Sequence, residues 1–211
     1  MIKILANIIS GVFHPLFMPL YVYVMYSYLM FNEFIRGTSF FLSATFMVVV
    51  FSIIIPVIGF LVYFFIKQDF SDVFMKNQKN RPVPYLICLF SYLIMILVFN
   101  KHEYLYMYSY CLFGAFVALF FVFLINFSWK ISIHTTALGA VFVLGIFYSI
   151  CTSTNPYWFF VVILLISGLV GSSRIYLKSH SLSQVISGFC LGIFSGSVPL
   201  VLLFLSSLNF F

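Results

Sequence analysis

Seven long apolar stretches, separated by short polar breaks, occupy almost the whole chain and leave it few ways to fold. They lie at 16–31, 40–66, 83–99, 104–127, 136–151, 157–172 and 185–208. At about 1.5 Å per helical residue, such stretches suit a hydrocarbon core about 30 Å thick. No water reaches loose amides there, so a spanning segment must close its own hydrogen bonds as a helix. The expected fold class is therefore all-α: a polytopic transmembrane helix bundle with six to seven spans. Composition agrees, since 64% of residues are hydrophobic and 7% charged, against about a quarter charged in soluble domains. Disordered, collagen-like, disulfide-scaffold and soluble nucleic-acid-binding readings are excluded together, and no nucleic-acid partner is expected. The formal charge of +6 suits loops beside anionic headgroups, or an anionic substrate.

Local features refine the spans. Residues 2–13 are expected to lie along the interface or to extend the first span, with a kink at His14-Pro15. Met1-Ile2-Lys3 precedes no small-residue cleavage site, so the N-terminus is expected to stay uncleaved. The stretch 40–66 contains Pro56 and should tilt or bend. The fifth and sixth stretches are short, which predicts tilt, local thinning or burial among other helices. Cys88, Cys111, Cys151 and Cys190 stand singly in apolar surroundings with no C-x-x-C spacing, as small buried hydrophobes do. No repeat divides the chain, and one integral membrane domain is expected, with N-terminal spans at 1–66 and a core at 67–205.

Charge is distributed unevenly. With seven crossings, one face receives Lys3, Lys67, Lys76, Lys79, Arg81, Lys130, Arg174 and Lys178, and the other only Arg36 and Lys101. The positive-inside rule alone puts the basic face in the cytoplasm. Several of these cations are also candidate site residues, which leaves orientation open. Glu33, Asp69, Asp72 and Glu103 are all the carboxylates, and none follows residue 103. A carboxylate pair or a carboxylate-rich metal cage cannot be built from the second half. A charge at membrane depth costs about 2.5–3.5 kcal/mol on insertion scales, so cations without acidic partners suggest an anionic ligand, and phosphate is the natural candidate.

Three polar segments fall on the basic face. Lys76-Asn77-Gln78-Lys79-Asn80-Arg81-Pro82 leads into the third stretch. Pro82 suits a first helical turn, which puts Arg81 at a helix N-terminus. Trp129-Lys130-Ile131-Ser132-Ile133-His134 opens the fifth, with Ser132 able to cap it. Ser173-Arg174 and His180 to Gln184 precede the last. His180 and Gln184 stand four apart, so on a helix they touch. The amide oxygen accepting from Nδ1–H would leave Nε2 free as a nucleophile. Each hairpin returns the chain to the same face, so the three segments can converge on one pocket. Taken singly, the first reads better as a stop cluster that sets topology, and His134 as an interfacial residue.

These residues resemble the type-2 phosphatidic acid phosphatase superfamily of membrane lipid phosphatases. Its motifs run Lys, six residues, Arg-Pro; Pro-Ser-Gly-His; and Ser-Arg, five residues, His, three residues, Asp. Here Arg81-Pro82 ends the first, with Phe74 where the lysine belongs and Lys76 and Lys79 nearest. Ser132 and His134 keep the second, with Ile131 and Ile133 for Pro and Gly. Ser173, Arg174 and His180 keep the third, with Gln184 for Asp. The resemblance covers roughly 67–205 and implies a phosphohydrolase that uses no metal or cofactor, in the plasma (inner) membrane, acting on a lipid phosphate or diphosphate. His180 would attack phosphorus and form a phosphohistidine, and His134 would protonate the leaving oxygen and later activate water. Arg81, Arg174, Lys76 or Lys79, and amides near Ser132 would hold the phosphate oxygens. Gln184 cannot stabilise an imidazolium as a carboxylate does, which leaves a catalytically inactive lipid-phosphate binder or transporter as the alternative. A third reading takes His14, His102, His134 and His180 as haem or metal ligands.

Overall fold

The computed structural model describes residues 1–30, 36, 38–68 and 77–208. Among these, every regular element is helical: α1 Ile2–Val12, α2 Met18–Met30, α3 Ser39–Val49, α4 Ile55–Lys67, α5 Pro82–Phe99, α6 Tyr106–Ile125, α7 Ile133–Thr152, α8 Tyr157–Tyr176 and α9 Leu182–Leu208. Seven helical segments are long and apolar enough to cross a membrane, one for each apolar stretch. The chain is an all-α, multi-pass membrane bundle.

Two breaks fall where proline forbids a continuous ladder. α1 ends before His14-Pro15, a short 3-10 turn covers Pro15–Phe17, and α2 starts in a new direction. Tyr21 reaches back to donate to the Val12 carbonyl at 2.9 Å, which holds the bend closed. In the second long span, one turn of π-helix at Val50–Ile54 separates α3 from α4, and Pro56 sits in the first turn of α4. Proline can neither donate to the carbonyl four residues back nor tolerate its approach, and the wider turn makes room.

The fifth and sixth spans are not short. α7 and α8 are 20 residues each, because polar residues that interrupt hydropathy do not interrupt the helix. Thr136, Ser167 and Ser173 return their hydroxyls to the carbonyls of Ser132, Ile163 and Leu169 at 2.9, 2.7 and 2.7 Å. A hydroxyl satisfied within its own helix needs no water.

One apolar cluster gathers α2, α3, α5 and α6 around Tyr23, Met95, Phe99, Tyr108 and Leu112. Tyr108 is fully buried and donates to the Pro19 carbonyl at 2.7 Å. The other organising contact is the crossing of α7 and α9, the most extensive helix pair in the chain. There Gly188 and Gly192, one turn apart on α9, press against Ser132, Thr136 and Gly139. A Cβ on Gly192 would stand 2.0 Å from the Thr136 carbonyl oxygen, and one on Gly188 2.7 Å from that of Ser132. Small residues let helix backbones meet closely where lipid gives no hydrophobic drive to association. The substitution Gly192→Ala should therefore force α7 and α9 apart. Unfolding in detergent should show a loss of about 1–3 kcal/mol, whereas Gly11→Ala, where a Cβ meets nothing within 4 Å, should be tolerated.

Candidate functional site

The three polar segments meet at one end of the bundle, each delivered by a helix terminus. Arg81 caps the N-terminus of α5, immediately before Pro82, and is 7% exposed. Its loop is tied down by a reciprocal pair: the Gln78 amide donates to the Asn126 carbonyl, and the Asn126 amide donates to the Gln78 carbonyl at 3.1 Å. The Lys67 ammonium donates to Asn80 Oδ1 in the same loop. Arg174 lies in the last turn of α8. Beyond it Lys178 takes a left-handed conformation, φ 53°, which turns the chain back on itself. The amides of Ser179 and His180 then both reach the Arg174 carbonyl, at 3.0 and 3.4 Å. Five residues between Arg174 and His180 are what this return needs.

His180 is held by two acceptors rather than one. Its Nδ1 lies 3.2 Å from Gln184 Oε1 and 3.3 Å from the Lys130 carbonyl. Both are acceptors, so Nδ1 carries the proton and the Nε2 lone pair is free. The amide of Gln184 is itself oriented, because Oε1 also accepts from the Ser181 amide at 3.1 Å while Ser181 Oγ accepts from the Gln184 amide at 3.4 Å. This is a capping box at the start of α9. The predicted contact between His180 and Gln184 exists, but His180 precedes the helix and the box makes the contact. The Ser132 amide donates to the Gln184 carbonyl at 3.3 Å, so the lead-ins to α7 and α9 are fastened together twice.

His134 occupies the second residue of α7 and is 6% exposed. It is buried rather than interfacial: Arg174, His14 and His180 face it, and the Ser10 backbone carbonyl accepts a hydrogen bond from it. Arg81 and Arg174 act on each other electrostatically, and both act on His180, as does Lys130. Burial first, then Arg174 and Arg81, push His180 down from the usual 6.5 to about 4 against the opposing hydrogen bond of Gln184. Among the described residues the one carboxylate, Glu103, is exposed in the loop at the other end. Three polar atoms at the cluster, Ser132 Oγ, His134 Nδ1 and Arg174 Nε, are buried with no hydrogen-bond partner. Such atoms cost about 1–3 kcal/mol each unless something completes them. A tetrahedral oxyanion is chemically suited to that role, since it offsets the cations and accepts from several donors at once.

Other expectations are corrected. Ser132 stands at the N-cap of α7 but makes no side-chain cap; its carbonyl instead takes the hydroxyls of Thr135 and Thr136. Lys79 is exposed on the 3-10 turn Gln78–Asn80 and is not among the groups facing Arg174 or His180, because the turn buries Asn80 and sends Lys79 outward. Lys76 lies outside the described residues. Ile133, where a glycine was expected, sends its bulk into the apolar cluster. His102 lies at the opposite end beside Phe40, which separates the four histidines; among the described residues no three His, Cys, Asp or Glu are placed to hold a metal. Sequence reading missed Lys130, whose carbonyl and charge both address His180, and His14, whose ring stands 5.3 Å from that of His134. The pattern Ser181-x-x-Gln184 signalled the capping box. Beside the cluster an apolar cavity of about 100 Å³ begins at Pro15, Ile133 and Thr136 and extends between α2, α6, α7 and α9 to Phe147.

Comparison with models of protein families, with curated proteins and with solved structures finds no match for this chain.

With its folded value at about 4, His180 stays neutral where an ordinary histidine, at about 6.5, gains a proton. Between those values the unfolded chain binds a proton that the native site refuses, so the contribution of His180 to stability falls as pH drops from 6.5 towards 4. Carbethoxylation of His180 followed by mass spectrometry should give a titration midpoint near 4. Saturating phosphate should move it upward.

Proposed function

We propose that this chain is a membrane lipid phosphatase that hydrolyses a lipid phosphate or diphosphate through a phosphohistidine, acting in the plasma membrane. The observation that carries the reading is the convergence of Arg81, Arg174, His134 and His180 around three buried, unpartnered polar atoms, Ser132 Oγ, His134 Nδ1 and Arg174 Nε. The resemblance of the three motifs to the type-2 phosphatidic acid phosphatase superfamily supports it independently. The apolar cavity beside the cluster suits a lipid chain.

In this mechanism His180 Nε2 attacks phosphorus, and the bond from phosphorus to the lipid oxygen breaks with its electron pair passing to oxygen. His134 gives that oxygen a proton. Water then attacks the phosphohistidine as His134 takes its proton, the P–N bond breaks, and inorganic phosphate leaves. Arg81 and Arg174 hold the phosphoryl oxygens throughout, and a guanidinium does this by paired N–H bonds. The neutral Nε2 of His180 is a ready nucleophile.

Purified protein with chelator present should release phosphate from lipid phosphates, with vanadate inhibiting. His180→Ala should abolish release, and Arg174→Ala should lower it by about a hundredfold. Release that survives His180→Ala would overturn the assignment.

Gln184 favours the alternative of a binder without turnover, since an amide lends no charge to an imidazolium. Gln184→Glu separates the two. Glutamate keeps the capping box, supplies a carboxylate and should raise His180 towards its ordinary value. A phosphatase with a weakened site should gain about tenfold or more in kcat, whereas a binder should gain none and retain headgroup binding.

A further inference from the structure

His14 comes from the break between α1 and α2 in the first span, outside the stretch that carries the motif resemblance. Pro15 ends α1 and throws the chain into the 3-10 turn, and His14 caps that turn: its Nδ1 accepts from the Leu16 amide at 3.3 Å. A neutral imidazole accepting at Nδ1 carries its proton at Nε2, so the tautomer is set by the turn. The ring stands 5.3 Å from the His134 ring at 85°, an edge-to-face arrangement. The end of α1 also supplies the Ser10 carbonyl, which accepts a hydrogen bond from His134. The remaining groups facing His134 are Arg174 from α8 and His180 from the turn before α9.

We propose that His14 is a positioning residue which, with the Ser10 carbonyl, fixes the ring of His134 so that its proton reaches the leaving oxygen. The inference rests on the reading of His134 as general acid. The outer torsion of a histidine is broad and roughly two-fold, so backbone alone does not choose which nitrogen faces the substrate. Enzymes commonly make that choice with a carboxylate behind the ring. This cluster has no described carboxylate, and Arg174, a donor only, cannot accept a hydrogen bond from His134 as a carbonyl does. The break in the first span gives His134 a wall on its ring and an acceptor for its N–H. Neither requires charge, which the crowding of cations here would otherwise make costly to balance.

The effect should depend on the leaving group. An alkyl phosphate expels an alkoxide that needs the proton; p-nitrophenyl phosphate expels a stable anion that does not. His14→Asn keeps an acceptor for the Leu16 amide and removes the ring, because asparagine is a strong N-cap. In the full chain in lipid–detergent micelles, His14→Asn should lower kcat on a lipid phosphate by about tenfold or more. KM should stay within about twofold, and the loss on p-nitrophenyl phosphate should be at least several-fold smaller. His14→Phe, which keeps a ring beside His134, should lose less than His14→Asn. Equal losses on the two substrates, no loss at all, or a larger loss for Phe than for Asn overturns the inference while leaving the phosphatase reading intact. If the unaltered protein turns over neither substrate, the phosphatase reading fails. The nitrogen NMR signals of labelled His134 then decide the inference: a His14→Asn protein with an unchanged His134 tautomer pattern refutes positioning, and a changed one supports it.

Discussion

Where α7 crosses α9, a backbone carbonyl of one helix fills the space in which a Cβ of the other would stand, and the polar end of the bundle depends on that approach. Gly188 and Gly192 carry no side chain between Ser132, Thr136 and α9, so the lead-ins to the two helices run side by side. Only then can the Ser132 amide bond to the Gln184 carbonyl and the Lys130 carbonyl reach His180. These are ordinary hydrogen bonds, each worth about 1 kcal/mol net. Their value here is geometric, because they fasten His134 and His180 to two ends of one rigid crossing. Arg81 and Arg174 arrive from the flanking helices at the same level.

That assembly concentrates positive charge where solvent is scarce. Arg81 is buried, Arg174 partly so, and the groups that orient the histidines are neutral: an amide oxygen, backbone carbonyls and a backbone amide. Burying like charges near one another is unfavourable, and here the imbalance is expressed in His180, which takes up no second proton until well below neutrality. A carboxylate behind His180 would relieve the imbalance and raise its basicity together. Gln184 does neither, so the cluster keeps both its appetite for an anion and a neutral nucleophile. The two properties have one origin.

Much of this was legible in the sequence, and the failures have common causes. Hydropathy located all seven spans because a lipid core admits few alternatives to apolar helices. Arg81-Pro82 predicted a helix start because proline tolerates the first turn, and the spacing from Arg174 to His180 held because it is the length of one reversal through a left-handed residue. Polarity misled where a hydroxyl was satisfied locally: Ser173, bonded to the Leu169 carbonyl, continues a helix that hydropathy ended at residue 172. Ser132 was assigned a cap from its type, yet its hydroxyl stays unpartnered. Lys79 was chosen by proximity in sequence, while a 3-10 turn decides direction within a residue. Lys130 contributes a carbonyl as well as a charge, and no residue type advertises its backbone. His14 was remote because only tertiary packing of the first span brings it to His134.

The kinked first span shows how an imidazole can be oriented without a carboxylate behind it. Ser10 and His14 stand in for an orienting carboxylate by means that a low-dielectric setting rewards: a carbonyl whose dipole is fixed by its helix, and a ring whose proton is fixed by its turn. A carboxylate would bind a proton or an arginine as readily as it oriented an imidazole, since it responds to every charge around it. Backbone groups cannot ionise, so their effect on His134 is the same with the cluster empty or filled by an anion. Orientation is thereby separated from charge balance. In a chain whose second half contains no acidic residue, that separation lets an imidazole be oriented beside cations at the end of a bundle without a described carboxylate behind its ring.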